Sequence, residues 1–365
     1  MKSNSKFKKN FSFKKSAKLN SGNNSKFKKK HFISNNSRNN NSRNNNSRNN
    51  NTNRNNSKDI FCERYDNFFG KGTFDKLIYS KREYSNNSFI RINLSKISIS
   101  DVESFLRKNR VKYSKTFIDN FLKIEKSFFN LSSSLLSLFG QIYIQDLASG
   151  VPISLIDFQK LKNLGRKIKI LDVGASPGSK TTQLADLLIY NGIDYSILCI
   201  EPNKLRLTKL INNIQKQEFK NIEVLNIAGE DFNFEDKFDL IILDVPCSGN
   251  LIDDKDWLNK RDIKGIEKNS SLQKKLIKNI SKYLLVGGEL IYSTCSLEPE
   301  ENELNIDWTL KNTKLKTKKV LKKFPFEVKP LSKIDIKNLK DNNSIRLMPY
   351  NSKTQGFFVC KFENK

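Results

Sequence analysis

Two cysteines stand just past the ends of apolar runs that read as strands, one in LDVPCSG, Leu243 to Gly249, the other in IYSTCS, Ile291 to Ser296. A lone cysteine on an apolar strand is ordinarily inert packing. Cys247 and Cys295 each follow a strand end and sit beside Pro or hydroxyl residues. Neighbouring strands lie about 4.8 Å apart, so the two thiols converge on one pocket if their strands are adjacent. The only histidine, His31, lies in a basic N-terminal segment, which removes the usual His general base and His-based metal sites from the folded body. Catalysis must then rest on Cys, Lys, Asp or Glu. The five cysteines, Cys62, Cys199, Cys247, Cys295 and Cys360, are odd in number and never form a C-x-x-C pair, against a disulfide framework or zinc knuckle and in keeping with a reduced intracellular compartment.

Other chemistry-bearing residues also follow strand-like runs. LDVGASPGSKTTQ, Leu171 to Gln183, is a tight Gly-and-Pro turn opening a helix, where backbone N–H groups near Gly178 to Lys180 can face an anion. It is neither a G-x-G-x-x-G fingerprint nor a P-loop. The next apolar run ends in Glu201, where an acid can take both hydroxyls of a ribose. A third leads to Glu230 and Asp231, placed to meet an adenine amino group at the same crevice.

These residues need a sheet to hold them. From about Phe139, strand-like and helix-like runs alternate: IKILDV, a helix from Lys180, SILCI, a helix from Lys204, NIEVLNI, FDLIILDV and GGELIYS. Strand, helix, strand in series predicts a parallel sheet covered on both faces, with ligands at the carboxyl ends of its strands. Ser344 to Pro349 and Gly356 to Phe362 lie too close for a helical crossover and predict an antiparallel hairpin at one edge. Upstream, FIRINLS, Phe89 to Ser95, alternates as a half-buried strand should. Ser100 and Glu103 have capping-box spacing before a helix with Val102, Phe105 and Leu106 on one face.

The chain of 365 residues carries 66 Lys plus Arg against 38 Asp plus Glu, a formal net charge of +28. Sixteen of those cations lie in residues 1–58, which hold no acid, leaving +12 for the other 307. That segment, with N-S-R-N-N repeated three times over residues 36–50, is of low complexity and is expected to be disordered. Its charge favours RNA, whose backbone attracts cations without regard to sequence; an organelle transit role or no dedicated role also fits. The expected organisation is a tail over 1–58, a small α/β unit over 59–138 and a catalytic domain over 139–365. No apolar stretch is long enough to span a membrane, and the N-terminus lacks the apolar core of a secretory signal.

The ordered set ASPGSKTTQ, IEPNKLR, DVPCSG, GGELIYSTCSLEPEENE and RLMPYNSKTQGFFVCKF resembles the RsmB-type, or Nop/Sun, RNA cytosine-C5 methyltransferases over roughly Ser88 to Phe362. The paired P-C and T-C motifs are its specific part. The resemblance implies a Rossmann-like class I methyltransferase fold, preceded by a small RNA-binding subdomain. It implies that Gly174, Ala175, Ser176, Pro177, Gly178, Ser179 and Lys180 line S-adenosylmethionine, with Arg206 nearby, Glu201 on the ribose and Glu230 or Asp231 toward the adenine. Asp244 would lie between cofactor and base, Lys180 would reach both base and nucleophile, Cys295 would be the nucleophile, and Cys247 would assist product release. The substrate would be rRNA or tRNA, acted on by a monomer in nucleus, nucleolus, cytoplasm or an organelle.

The chain departs from that pattern in two places. Gly174, Ser176 and Ser179 replace a cysteine, an alanine and a glycine of the cofactor turn; all are small, so the turn is expected to persist. After Cys247, Leu251 replaces a glycine, and the family's basic segment shortens to IDDKDWLNKRD, with Asp253 and Asp254 near where Arg is expected and Arg261 a partial substitute. An RNA-binding assembly factor that keeps a cofactor pocket without turnover is the alternative of another class. A nicotinamide oxidoreductase would share the fold class but lacks the glycine fingerprint and leaves both cysteines without a role.

Overall fold

A computed structural model describes residues 46–84, 87–252, 254, 256–328, 331 and 343–365, with side chains from residue 58 onward. Of the tail expected to be disordered over residues 1–58, residues 1–45 lie outside the described residues, and 46–58 are helical instead. From Asn46 the chain is helical to Phe69 (α1), across the boundary expected at 58/59, and a second helix, Thr73–Tyr84 (α2), folds back on it. Aromatic residues one turn apart, Phe61 and Tyr65, give α1 a buried face.

Four strands make a small antiparallel sheet: β1 (Ser88–Ile92), β2 (Lys112–Lys115), β3 (Phe121–Lys126) and β4 (Ile142–Ile144), in the order β2-β3-β1-β4. The helix Ile99–Lys108 lays Val102 and Leu106 on one face of it. Its cap is Ser98, whose Oγ accepts from Asp101 N at 3.1 Å, rather than the Ser100/Glu103 pair, because the extended backbone ends at residue 98. β4 falls beyond the unit boundary expected at residue 138. Residues 59–84 do not join this sheet; Phe61, Tyr65, Phe74 and Leu77 pack on Leu251, Trp257 and Leu297 of the larger domain.

That domain is built on eight strands: β5 (Ile168–Val173), β6 (Tyr195–Ile200), β7 (Ile222–Leu225), β8 (Phe238–Asp244), β9 (Leu284–Thr294), β10 (Leu315–Thr317), β11 (Ser344–Leu347) and β12 (Phe357–Asn364). Their order is β10-β12-β9-β8-β5-β6-β7, with β11 also paired to β12. The pairs among β5 to β9 are parallel, and β12 runs antiparallel to β9 and β11, as the sequence led one to expect. Both faces are buried, so the strands read as continuous apolar runs. Along β8, Leu240 and Ile242 enter one core, Ile241 and Leu243 the other.

The half-buried strand expected at Phe89–Ser95 is instead covered on both faces, and Arg91 in it is fully buried. Its guanidinium donates to Asn93 Oδ1 (3.1 Å), Gln145 Oε1 (2.6 Å), Ser179 O (2.7 Å), Thr182 Oγ1 (3.0 Å) and Gln217 Oε1 (3.0 Å). Burial lowers its pKa to about 10, partly countered by Asp186. Asp186 in turn accepts from Leu94 N, Ser95 N and Ser95 Oγ. The small sheet is thereby fastened to the helix Ser179–Tyr190 of the larger domain. Arg91→Met strands five acceptors at this joint, an expected loss of about 3–5 kcal/mol of unfolding free energy, to be read from urea titrations beside wild type.

Candidate active site

The parallel register sets Asp244, at the end of β8, opposite Ser293 of β9. Ser293 Oγ donates to Asp244 Oδ1 at 2.6 Å, and Lys180 Nζ donates to Oδ2 at 2.7 Å. From that level the two chains overshoot by three and two residues, and Cys247 Sγ and Cys295 Sγ meet at 3.0 Å. Both thiols, Lys180 and Asp244 line one cavity of about 530 Å³ together with Asp172, Gly174, Ala175, Ser176, Pro177, Ser179, Glu201 and Arg206. Other clefts on the surface are as large; chemistry rather than size singles out this one.

The cofactor-turn residues expected from the sequence are brought together here, except that Gly178 caps the helix Ser179–Tyr190 with a left-handed φ of 100° and lies outside the lining. At Gly174, with φ of +73°, a Cβ would stand 2.3 Å from Asp244 O, so only glycine lets the turn approach β8 this closely. Arg206 Nη2 donates to Ser176 O at 2.8 Å. Glu201 is buried; its Oε1 accepts from Asn203 N, while Oε2 has no hydrogen-bond partner, Arg206 Nη1 lying 3.6 Å away. Glu230 and Asp231 are exposed on a short turn, Gly229–Asp231, and lie outside the lining. The run leading to them ends early, at Leu225, and Asn279 Nδ2 holds that turn through Gly229 O, Glu230 O and Phe232 O.

The sequence reading passed over several residues. Asp172, at the end of β5, lines the cavity fully buried; Thr181 Oγ1 donates to its Oδ2 at 2.6 Å, and its Oδ1 has no hydrogen-bond partner. Its acid directly before Val173 and Gly174 was the available signal. Phe357 of β12 closes the lining, 5.3 Å from Lys180 Nζ to the ring centroid. Glu301 ties the thiol loops: both its carboxylate oxygens lie 3.1 Å from Ser248 N, and Ser248 Oγ lies 3.0 Å from Ser296 Oγ. Asn250 Nδ2 donates to Cys295 O at 2.9 Å.

The altered loop after Cys247 is likewise anchored inward. Leu251 is buried, and Arg261 Nε donates to Ser248 O at 2.5 Å, so Arg261 serves the loop rather than standing free as the expected replacement for the missing basic residues. Asp254 accepts from Lys260 at 3.0 Å; Asp253 lies outside the described residues. Among the described residues there is no cluster of His, Cys, Asp and Glu able to hold a metal, and no helix is long and apolar enough to cross a membrane.

Burial raises the Asp172 carboxyl to about 7, over the opposing pull of the Thr181 hydrogen bond and Lys180. The folded chain therefore holds this proton to higher pH than the unfolded chain does. Its favourable contribution is complete below pH 4 and is lost as pH rises toward 7. Asp172→Asn should consequently gain stability relative to wild type across that window, by about 4 kcal/mol at most; urea unfolding in a pH series reads the difference.

Residues 160–363 match the family model described as 16S rRNA methyltransferase RsmB/F. Ribosomal RNA small subunit methyltransferase F of Vibrio cholerae is 30% identical over 231 residues, 61% of this chain and 47% of that protein. The tRNA (cytosine(49)-C(5))-methyltransferase of Pyrococcus abyssi is 32% identical over 228 residues, 61% of this chain and 70% of that one. A methyltransferase homolog from Pyrococcus horikoshii superposes with a TM-score of 0.71 at 26% identity, covering 84% of this chain and 95% of its own. The chain spans about half the length of the first of these relatives. With more than half of its residues matched by the family model, the chain belongs to the RsmB/F methyltransferase family.

Proposed function

We propose that the chain transfers a methyl group from S-adenosylmethionine to C5 of cytosine in RNA, through a covalent adduct on Cys295. The observation that carries this reading is the meeting of two thiols from adjacent strand ends beside a Lys–Asp pair. The relatives' names supply the base and the RNA classes, ribosomal and transfer. The cavity suits the cofactor: Glu201 Oε2 is a buried acceptor without a hydrogen-bond donor, where ribose hydroxyls have a natural partner. Bound there, S-adenosylmethionine supplies an electrophilic methyl sulfonium.

Cytosine C5 is too weak a nucleophile to take that methyl group unaided. Cys295, as thiolate, adds to C6 and makes C5 electron-rich, so that one hard step becomes two easier ones. Lys180 Nζ places a cation beside the thiols' pocket and favours the thiolate. Asp244, held at both oxygens by Lys180 and Ser293, faces the same cavity and can orient the base by accepting from its amino group. Once C5 carries the methyl group, its proton leaves to a base and the C6–S bond breaks, restoring the ring and the Cys295 thiolate. Cys247, 3.0 Å away, is placed to assist that release. The target base must be unpaired or flipped to reach the thiol. In this reading the small sheet docks RNA, and one chain suffices for the reaction.

Cys247→Ala, incubated with RNA and S-adenosylmethionine, should accumulate a covalent RNA adduct on a denaturing gel, while Cys247→Ala/Cys295→Ala forms none. Cys295→Ala alone should lower methyl transfer by about a thousandfold or more. Cofactor binding without any Cys295-dependent adduct would replace this reading with a non-catalytic RNA-binding factor.

A further inference from the structure

The loop after Cys247 departs from the family's pattern where it meets α1 and α2. Leu251 and Trp257 are buried in one apolar cluster with Phe61, Tyr65, Phe74 and Leu77. The Trp257 ring lies edge-on to Phe61, centroids 4.7 Å apart, and stacks on Tyr65 at 6.3 Å. Its indole N–H donates to Ser248 O at 2.9 Å, one residue beyond Cys247. The same turn of α1 reaches the loop of the other thiol. Arg64 Nε donates to Glu298 Oε2 at 2.9 Å, Tyr65 Oη donates to Glu298 Oε1 at 2.6 Å, and Arg64 also pairs with Glu300.

Glu298 is fully buried, three residues past Cys295, and both of its oxygens are held by α1. Charge-assisted bonds at two points fix position as well as energy. Removing Arg64 would leave a buried carboxylate without its cation, a state relieved by protonation or by outward movement of the loop. From Phe61 to Tyr65, little more than one helical turn thus grips both segments that present the thiols.

We propose that α1 is a positioning element of the catalytic centre: Arg64 and Tyr65, through Glu298, and Phe61 and Tyr65, through Trp257, set where Cys295 stands relative to Cys247. The cofactor-affinity and adduct readouts of this proposal rest on the methyltransferase reading; the approach of the two thiols can be measured without it.

The test uses Arg64→Ala, Arg64→Lys and Tyr65→Phe in the full chain. Three quantities are read: affinity for S-adenosylmethionine, the rate of RNA adduct formation in the Cys247→Ala background, and the rate at which diamide closes Cys247 and Cys295 into a disulfide where both are kept. In that closure diamide accepts two electrons and two protons from the two thiols. A misplacement of about 1 Å is enough to slow such steps strongly, so Arg64→Ala should slow adduct formation and closure by about tenfold or more. Cofactor affinity should stay within about twofold, Arg64→Lys should recover part of both rates, and Tyr65→Phe should lose less than Arg64→Ala. Unchanged rates in Arg64→Ala overturn the proposal. So does a parallel loss of cofactor affinity in Arg64→Ala and Tyr65→Phe, which marks a general weakening of the fold. Should the parent chain form no adduct, the methyltransferase reading falls, and diamide closure alone decides for or against the positioning role.

Discussion

Parallel strands that share hydrogen bonds cannot slide past one another, and the register of β8 against β9 is the constraint from which the catalytic geometry follows. Asp244 lies opposite Ser293; a slip of one residue would turn every side chain of β9 to the other face. That would move Leu290 and Ile291 each into the wrong core and withdraw Ser293 from Asp244. The two cores on either side of the sheet therefore enforce the meeting of two thiols that lie 48 residues apart in the chain. Packing, not any direct attraction between the cysteines, brings them together.

Around that meeting point the chain buries several ionisable groups. Lys180 is buried and paired to Asp244, while Asp172, Glu201, Glu298 and Glu301 are all withdrawn from water. Burial raises Asp172 and Glu301 to about 7 each, in the second case over hydrogen bonds from Ser296 and Ser248. Such groups cost stability unless each is given a partner. Glu298 and Glu301 receive theirs from α1 and the Cys247 loop, and in doing so tie separate segments together. The atoms left without hydrogen-bond partners beside the cavity, Asp172 Oδ1 and Glu201 Oε2, belong to residues that line it.

Much of this was legible in the sequence because strand periodicity and strand-end position are local properties. The five parallel strands, the turn from Gly174 to Lys180, Glu201 and the two cysteines could all be placed from runs of a few residues. Glu230 and Asp231 stand outside the cavity lining because the apolar run before them does not stay in the sheet beyond Leu225. Arg91 gave no sign of burial, since a single arginine in an alternating strand reads as its solvent face. That residues 59–84 pack on the larger domain rather than on the small sheet is hidden for a related reason. An aromatic face on a helix announces that it will be covered, and only the folded chain says by what.

The pairing of β12 has a consequence for the order in which the domain can be assembled. β10 and β11 precede it in the chain, yet among the described residues both pair with β12 alone, along successive stretches of its outer edge. Among those residues neither strand pairs with β9, so both reach the sheet only through β12, whose antiparallel pairing with β9 carries them. Two strands earlier in the chain thus depend for their place in the sheet on a later one, whose contact with β9 is non-local and of the kind that forms slowly. Without Phe357 to Asn364, β9 would present an unpaired apolar edge, the kind of surface on which chains pair with their neighbours.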